Sequence, residues 1–181
     1  LLKNVQGMQL IYPSSCKEFN LLFKQTYNNN FPTYFRLPES QHEVDFKNEE
    51  IVFGKGILVK KGKDITIIVT GPQLRTALDS INLLKENRID PEIIYIHTLK
   101  PLDKEIIIRS LEKTKKCLVI EEHSMYGGLF DDVLRYSKNL DGVKYSFINL
   151  GECYIHEYGT YSNHCKRLGF TSENILDKVY D

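Results

Sequence analysis

The chain has 181 residues, in which 24 Lys and Arg balance 24 Asp and Glu, so its formal net charge at pH 7 is zero. This balance excludes the general electrostatic field that holds nucleic acid or an anionic membrane surface. No apolar run approaches the roughly 18 residues of a membrane span, and the sequence opens without a signal-peptide pattern. Its four cysteines show no CxxC spacing, which favours reduced thiols. We therefore expect a cytoplasmic protein without nucleic-acid or membrane partners.

The first part of the chain has the pattern of one strand–helix–strand unit. Residues 8–12 form a short apolar run, and Ser15 with Glu18 three positions later is a capping-box signature that predicts a helix. Residues 31–37 are aromatic-rich and predict a second strand. A unit of this size cannot bury its own faces. We therefore expect the natural polypeptide to begin upstream of Leu1.

A polar stretch follows, and we place a domain boundary in it. Residues 39–50 carry many charged side chains and little apolar periodicity, which is the composition of a linker. The predicted domains are therefore 1–45, the end of one domain with its linker, and 46–181, a second domain.

In the second domain, strands alternate with helices. Ile57–Lys60 is predicted to form a hairpin with Asp64–Thr70, an Ile/Val/Thr run that suits a strand covered on both faces. Further strands are predicted at 92–97, 117–121 and 144–149. A turn is predicted at 99–103, and it ends in a capping aspartate. Helices are predicted to begin near Gly71, Asp103, Gly128, Tyr161 and Ser172. This alternation predicts an α/β fold: a three-layer α/β/α sandwich with a mainly parallel sheet, preceded by a βαβ remnant of another α/β domain.

The order of the motifs is more specific than the architecture. The run KKGKDITIIVTG, followed by a helix and then by IIYIHTLKPLDKEIIIRSLEKTKKCLVIEEHSMYGGL, resembles the C-terminal domain of the transketolase family. That family includes transketolases, deoxyxylulose-phosphate synthases and the beta subunits of 2-oxoacid dehydrogenases. The stretch YPSSCKEFNLLFKQTYNNNFPTYFRLPE resembles the end of the family's pyrimidine-binding domain, and YGTYSNHCKRLGFTSENI resembles the tail of transketolases and their split-subunit relatives.

The resemblance implies a thiamine-diphosphate-dependent transferase that moves a two-carbon or acyl unit between phosphorylated sugars. Thiamine diphosphate and Mg would serve the full-length enzyme, but the sequence has no GDG motif followed by an Asn pair. The segment alone is therefore expected to bind neither and to be inactive, with no catalytic residue of its own. It would contribute dimer assembly and a wall of the substrate channel, as a homodimer or with an N-terminal partner subunit.

Two alternatives remain open. A deoxyxylulose-phosphate synthase shares the sheet domain and its two-glutamate and glycine pattern. A non-catalytic binding or regulatory module could keep the same fold, because a fold alone does not determine function.

Arg36 is the candidate substrate-binding residue. In the motif PTYFRLPE it ends the second predicted strand, and the resemblance implies that it binds the phosphate of the sugar. A guanidinium offers a planar fork of donors to phosphate oxygens and stays charged at any working pH. The alternative is a surface arginine that caps strand carbonyls or pairs with Glu39.

His123, Gly127 and Gly128 form a possible anion or interface loop. The two glycines follow a strand and precede a helix, a geometry in which backbone amides can hold an anion. Close packing of helix against sheet explains them equally well. The resemblance favours subunit packing, as do the nearby tyrosines Tyr126, Tyr154, Tyr158 and Tyr161. Glu121, Glu122 and His123 are consecutive and should point to alternate faces.

Cys153, His156, His164 and Cys165 could together suggest a zinc site. Their spacing matches no common zinc finger, and adjacent residues on a helix diverge. We therefore predict no metal site and leave their role open.

Overall fold

A computed structural model describes residues 2–152 and 154–180 of the chain. Its strands are β1 Gln9–Ile11, β2 Thr33–Phe35, β3 Ile57–Lys60, β4 Ile65–Val69, β5 Pro91–Tyr95, β6 Thr98–Lys100, β7 Lys116–Ile120 and β8 Lys144–Ile148. Its α-helices are α1 Cys16–Thr26, α2 Leu74–Asp79, α3 Ile81–Glu86, α4 Lys104–Thr114, α5 Leu129–Ser137, α6 Tyr161–Arg167 and α7 Ser172–Tyr180. Short 3-10 helices lie at Leu2–Asn4, Asn48–Glu50 and Gly71–Gln73.

The larger sheet has five strands in the order β3-β5-β4-β7-β8. Strands β5, β4, β7 and β8 are parallel, and β3 is antiparallel at the edge. Every residue of β4 is buried, as its unbroken apolar run predicts. The predicted mainly parallel sheet is confirmed.

Alternate residues of β4 enter two separate apolar cores. Ile67 packs in one core with Leu74 of α2, Leu84 of α3 and Ile175 of α7. Ile68 packs in the other core with residues of α4 and α5. Helices therefore cover both faces of the sheet, which confirms the predicted three-layer sandwich. None of the helices in the described ranges is long and apolar enough to cross a membrane.

The predicted hairpin between β3 and β4 is wrong. β3 is hydrogen-bonded to β5, because both sides of β4 are already occupied by β5 and β7. The connection crosses the start of β5: Lys63 and Asp64 donate their amide N–H groups to the Asp90 carbonyl. Gly62 permits this crossing, since a Cβ there would lie 2.2 Å from the carbonyl carbon of Pro91.

The single helix predicted from Gly71 is divided into α2 and α3 at Ser80. The buried Ser80 hydroxyl donates to the Ala77 carbonyl at 2.8 Å, and such back-bonding bends helices. The apolar periodicity that predicted the helix still holds, because Leu74, Ala77 and Leu84 are all fully buried.

A small sheet joins the N-terminal segment to the rest of the chain. β1 pairs in parallel with β2 and antiparallel with β6, so the predicted βαβ unit is confirmed. Of the residues predicted as a turn at 99–103, Leu99 and Lys100 belong instead to β6, a strand whose partner lies about ninety positions away. Asp103 caps α4 as predicted, with its carboxylate accepting from the Ile106 amide.

The polar stretch between the two predicted domains is bound to both of them through Glu18. The buried His42 ring donates from Nε2 to Glu18 Oε1 at 2.5 Å, while its Nδ1 accepts from the Val44 amide. Glu18 Oε2 accepts from the Ser14 amide at 2.7 Å and from the Tyr95 hydroxyl at 2.9 Å. Burial raises the pKa of the Glu18 carboxyl, but these hydrogen bonds outweigh it and the net pKa is lowered.

His97 is fully buried beside this cluster, and its pKa gives a testable pH dependence. Burial lowers the pKa to about 4, only partly offset by Glu18. The unfolded state has the ordinary value near 6.5, so between these pH values it binds more protons than the folded state, and stability falls as pH decreases. We expect a loss of about 3 kcal/mol in the free energy of unfolding by pH 4.

Urea denaturation between pH 7 and 4 checks this expectation. His97→Gln should flatten the pH dependence, whereas His123→Gln, at an exposed histidine, should leave it unchanged. Equal slopes for the wild type and His97→Gln would contradict the account.

Candidate functional site

The candidate site lies at the carboxyl ends of β4 and β7. The chain passes from β4 to β5 on one side, and β7 lies on the other side of β4. In open α/β sheets, ligands bind in the crevice at such a switch point. Gly71 follows β4 at this place, and Glu121 and Glu122 follow β7.

Tyr12 from the N-terminal segment fills this crevice. A Cβ on Gly71, whose φ is +65°, would lie 2.4 Å from Cε1 of the Tyr12 ring. The Tyr12 hydroxyl donates to Glu122 Oε2 at 2.9 Å, and its amide donates to the His97 carbonyl. Burial, and then the nearby Glu122 carboxylate, raise the pKa of Tyr12 well above its ordinary value. The phenol is therefore a neutral donor.

The Glu122 carboxylate accepts hydrogen bonds from three distant parts of the chain. Besides Tyr12, Gln73 donates from Nε2 to Oε1 at 2.8 Å, and the Tyr161 hydroxyl of α6 donates to the same oxygen. Burial and the hydrogen bond to Glu122 raise the pKa of Tyr161 far above its ordinary value. The carboxylate is thus held by neutral donors from the N-terminal segment, the turn after β4 and the C-terminal tail.

Arg36 contacts the same glutamate. It donates from Nη1 to the Glu122 carbonyl at 2.6 Å, and its Nη2 lies 3.7 Å from Glu122 Oε2. The guanidinium carbon lies 4.3 Å from the centroid of the Tyr12 ring, a cation–π geometry. Its counter-ion is therefore Glu122 and not Glu39. Its bond to the Glu122 carbonyl, two residues after β7, matches the other half of the alternative considered from sequence, an arginine that caps strand carbonyls. With 37% of its side chain exposed, the guanidinium is oriented but still open on one side.

That open side faces a cleft of about 410 Å³ between the N-terminal segment and the end of β7. The cleft contains Arg36, His123, Gly127 and Gly128 and so unites the residues predicted as site candidates. The other lining residues are Leu2, Lys3, Leu10, Ile11, Tyr34, Leu99, Glu121, Tyr126 and Leu129.

The amides at the start of α5 already hold a carboxylate of the protein itself. Leu129 and Phe130 donate their N–H groups to Glu121 at 2.7 and 2.9 Å. A Cβ on Gly128 would lie 2.4 Å from Glu121 Oε1, so this glycine is explained by close packing. Burial raises the pKa of Glu121, and the two amides only partly oppose it. These two amides are therefore not free for an external anion, and the interface role of the loop stays a prediction.

Glu121, Glu122 and His123 diverge, as their alternation along the chain predicts. His123 is exposed, and its Nδ1 lies 3.1 Å from the Ser124 carbonyl oxygen. Lys3, the other cation of the cleft, is engaged by the Gly127 and Gly128 carbonyls and by Asp132. Among the described residues that line the cleft, Arg36 and His123 are the other nitrogen-bearing side chains.

The cysteine and histidine set considered for zinc cannot be traced as a whole, because Cys153 lies outside the described residues. In the ranges 2–152 and 154–180, no three His, Cys, Asp or Glu side chains lie close enough to hold a metal ion. Within the same ranges, the start of α5 is closed by Glu121.

Sequence reasoning missed Tyr12, Gln73 and the role of Glu122. Tyr12 gave a single signal, its position at the end of a strand before Pro13. Tyr161 was one of several loop tyrosines predicted to lie at an interface, and its hydrogen bond to Glu122 depends on contacts between residues 39 positions apart.

Comparison with known proteins identifies relatives of the chain. Residues 54–175 match the family model described as transketolase, C-terminal domain. The chain is 27% identical over 182 residues to the 6-deoxy-6-sulfo-D-fructose transketolase subunit SqwH of Clostridium sp. (strain MSTE9), covering all of this chain and 56% of that protein. It is also 27% identical over 159 residues to the 1-deoxy-D-xylulose-5-phosphate synthase of Halothermothrix orenii, covering 85% of this chain and 25% of that protein.

The solved structure titled split gene transketolase, inactive beta4 tetramer, has a similar fold, with a TM-score of 0.87 and 24% identity. The match covers 99% of this chain and 59% of that one. The chain thus spans about half the length of the first relative, and about a quarter of the second.

The packing of Gly128 against Glu121 predicts the effect of a single methyl group. Gly128→Ala should lower the free energy of unfolding by about 1–3 kcal/mol, because it displaces a buried carboxylate from the amides that satisfy it. Gly56 is no suitable control, since it is also crowded. Gly159→Ala is suitable, because its nearest neighbour lies 3.3 Å away, and it should cost less. Urea unfolding would contradict the account if Gly128→Ala were as stable as the wild type, or if Gly159→Ala lost as much stability as Gly128→Ala.

Proposed function

The chain belongs to the transketolase C-terminal domain family, and from that premise we propose that it is the C-terminal part of a thiamine-diphosphate-dependent transketolase-like enzyme. That enzyme transfers a two-carbon or acyl unit between phosphorylated sugars. This part serves dimer assembly and forms a wall of the substrate channel. The activity belongs to the intact protein, as the length of the relatives supports.

One observation carries the substrate assignment: an oriented arginine faces a cleft at the switch point of the sheet. Arg36 is held by the Glu122 carbonyl and the Tyr12 ring. These two contacts fix the orientation of the guanidinium and therefore of its remaining N–H groups. A fixed guanidinium is the donor group best suited to a phosphate. We assign it to the phosphate of the sugar substrate.

Cofactor chemistry belongs to other parts of the intact enzyme. Thiamine diphosphate stabilises a carbanion when it is bound. We assign cofactor and Mg binding to the remainder of the enzyme, on the same chain or in an N-terminal partner subunit, in the cytoplasm.

A deoxyxylulose-phosphate synthase is the second candidate, supported by the similarity to the Halothermothrix orenii enzyme. It also uses a phosphorylated substrate, so Arg36 would keep its role. A non-catalytic module with the same fold is the third. Co-purification of thiamine diphosphate with the intact gene product would argue against that module.

The phosphate role predicts a selective kinetic defect. In the intact enzyme, Arg36→Ala should raise KM about 10- to 100-fold for a phosphorylated acceptor, because one or two charge-assisted hydrogen bonds are lost. KM for the unphosphorylated acceptor and affinity for thiamine diphosphate should not change. Arg36→Lys should be intermediate, since a lysine lacks the planar fork.

Arg75→Ala is the matched control, because Arg75 is an exposed arginine that pairs with Glu43 and Asp79. It should leave both KM values unchanged. Equal effects of Arg36→Ala on both acceptors would show that the arginine is structural and would remove the main support for the sugar-phosphate assignment.

The assembly role predicts an oligomer of the intact protein. Sedimentation at tens of micromolar should show a two-fold dimer or a complex with a partner subunit. Tyr126, 64% exposed in the loop before α5, should lie at that interface, so Tyr126→Arg should shift the species toward the monomer. Tyr180→Arg, at a similarly exposed tyrosine, should not. A wild-type monomer would refute the proposal.

A further inference from the structure

Glu122 is the residue through which four separate segments meet. Its carboxylate accepts from Tyr12 at the end of β1, from Gln73 after β4 and from Tyr161 at the start of α6. Its backbone carbonyl accepts from Arg36 at the end of β2. The side-chain carboxylate and the backbone carbonyl of Glu122 are therefore both hydrogen-bonded, and each of them contributes to holding Arg36.

We propose that Glu122 is a positioning residue for Arg36 and that it couples the docking of helix α6 to the geometry of the phosphate-binding guanidinium. This inference rests on the phosphate role proposed above. It adds a residue that determines specificity for the phosphate, and it assigns a function to the C-terminal tail.

Glu122 acts on Arg36 by two routes. The first is direct, because the carbonyl takes Nη1 while Oε2 remains 3.7 Å from Nη2. A separation of 3.7 Å exceeds that of a hydrogen bond, so the carboxylate attracts the guanidinium without closing on it. The second route is through Tyr12, whose hydroxyl is fixed by Glu122 and whose ring lies beneath the guanidinium.

The tail keeps the carboxylate at this distance. Tyr161 and Gln73 both donate to Oε1 and thereby turn the carboxylate toward α6. Without the Tyr161 donor, the Glu122 carboxylate can rotate toward Arg36, form a close ion pair and compete with a phosphate. Tyr161 is the first residue of α6, whose cap Thr160 accepts from the Asn163 amide. Folding of α6 therefore places this donor.

The proposal is tested by steady-state kinetics of the intact enzyme with phosphorylated and unphosphorylated acceptors. Glu122→Gln and Tyr161→Phe should each raise KM for the phosphorylated acceptor about 3- to 10-fold, with kcat and the other KM unchanged. In an Arg36→Ala background, neither should have any further effect, because residues that act through one another are not additive. Tyr161→Phe retains the carboxylate and the ring, so it provides the test if Glu122→Gln fails to fold.

Glu92→Gln is the matched control. Glu92 is also a buried carboxylate with three donors, from Ser110, Lys113 and the Gly62 amide. It should lose stability without any change in KM. A selective defect that persists in the Arg36→Ala background would overturn the proposal, as would equal defects with both acceptors. If Arg36→Ala raises KM equally for both acceptors, the phosphate role of Arg36 is wrong. If Arg36→Ala raises KM only for the phosphorylated acceptor, but Glu122→Gln and Tyr161→Phe leave that KM unchanged, only the positioning role of Glu122 is wrong.

Discussion

The carboxylate of Glu122 lies where the parallel sheet ends, and the arrangement of the whole site follows from the need to satisfy it. A largely buried carboxylate without donors would cost several kcal/mol. The chain supplies them from Tyr12, 110 positions away, and from Tyr161, 39 positions away. Because these donors come from opposite ends of the sequence, satisfying one charge fixes both ends on the sheet. Arg36 is then oriented by the same residue.

Glu18 and Glu121 are two further buried carboxylates that are held by hydrogen-bond donors from the protein. Each is buried and accepts from backbone amides, with His42 and Tyr95 as further donors to Glu18. The consequence differs with the position. Glu18 fastens the polar stretch to α1 and β5, whereas Glu121 closes the start of α5. The cleft that Glu121 lines is therefore left with an oriented arginine and an exposed histidine, an arrangement suited to binding an anion.

Local pattern predicted most of the helices and strands, because apolar periodicity and the caps at Ser15 and Asp103 act within a few residues. It missed β6 and the break between α2 and α3. The β3–β4 hairpin failed since adjacency in sequence does not reveal that β4 already has two partners. Arg36 was proposed from its motif and the loop of Gly127 and Gly128 from its glycines, and both line the same cleft. The sequence did not reveal that Tyr12 and Gln73 bind Glu122, nor that Glu122 joins several segments. These contacts link residues 39 to 110 positions apart, and no local pattern contains them.

Hydrogen exchange of the Glu122→Gln variant tests the central claim most directly. If one carboxylate joins these segments, the amides of β1 and α6 should lose protection together, while the buried strands β4 and β5 keep theirs. Loss of protection in only one of the two segments, or an equal loss across the whole sheet, would contradict the account.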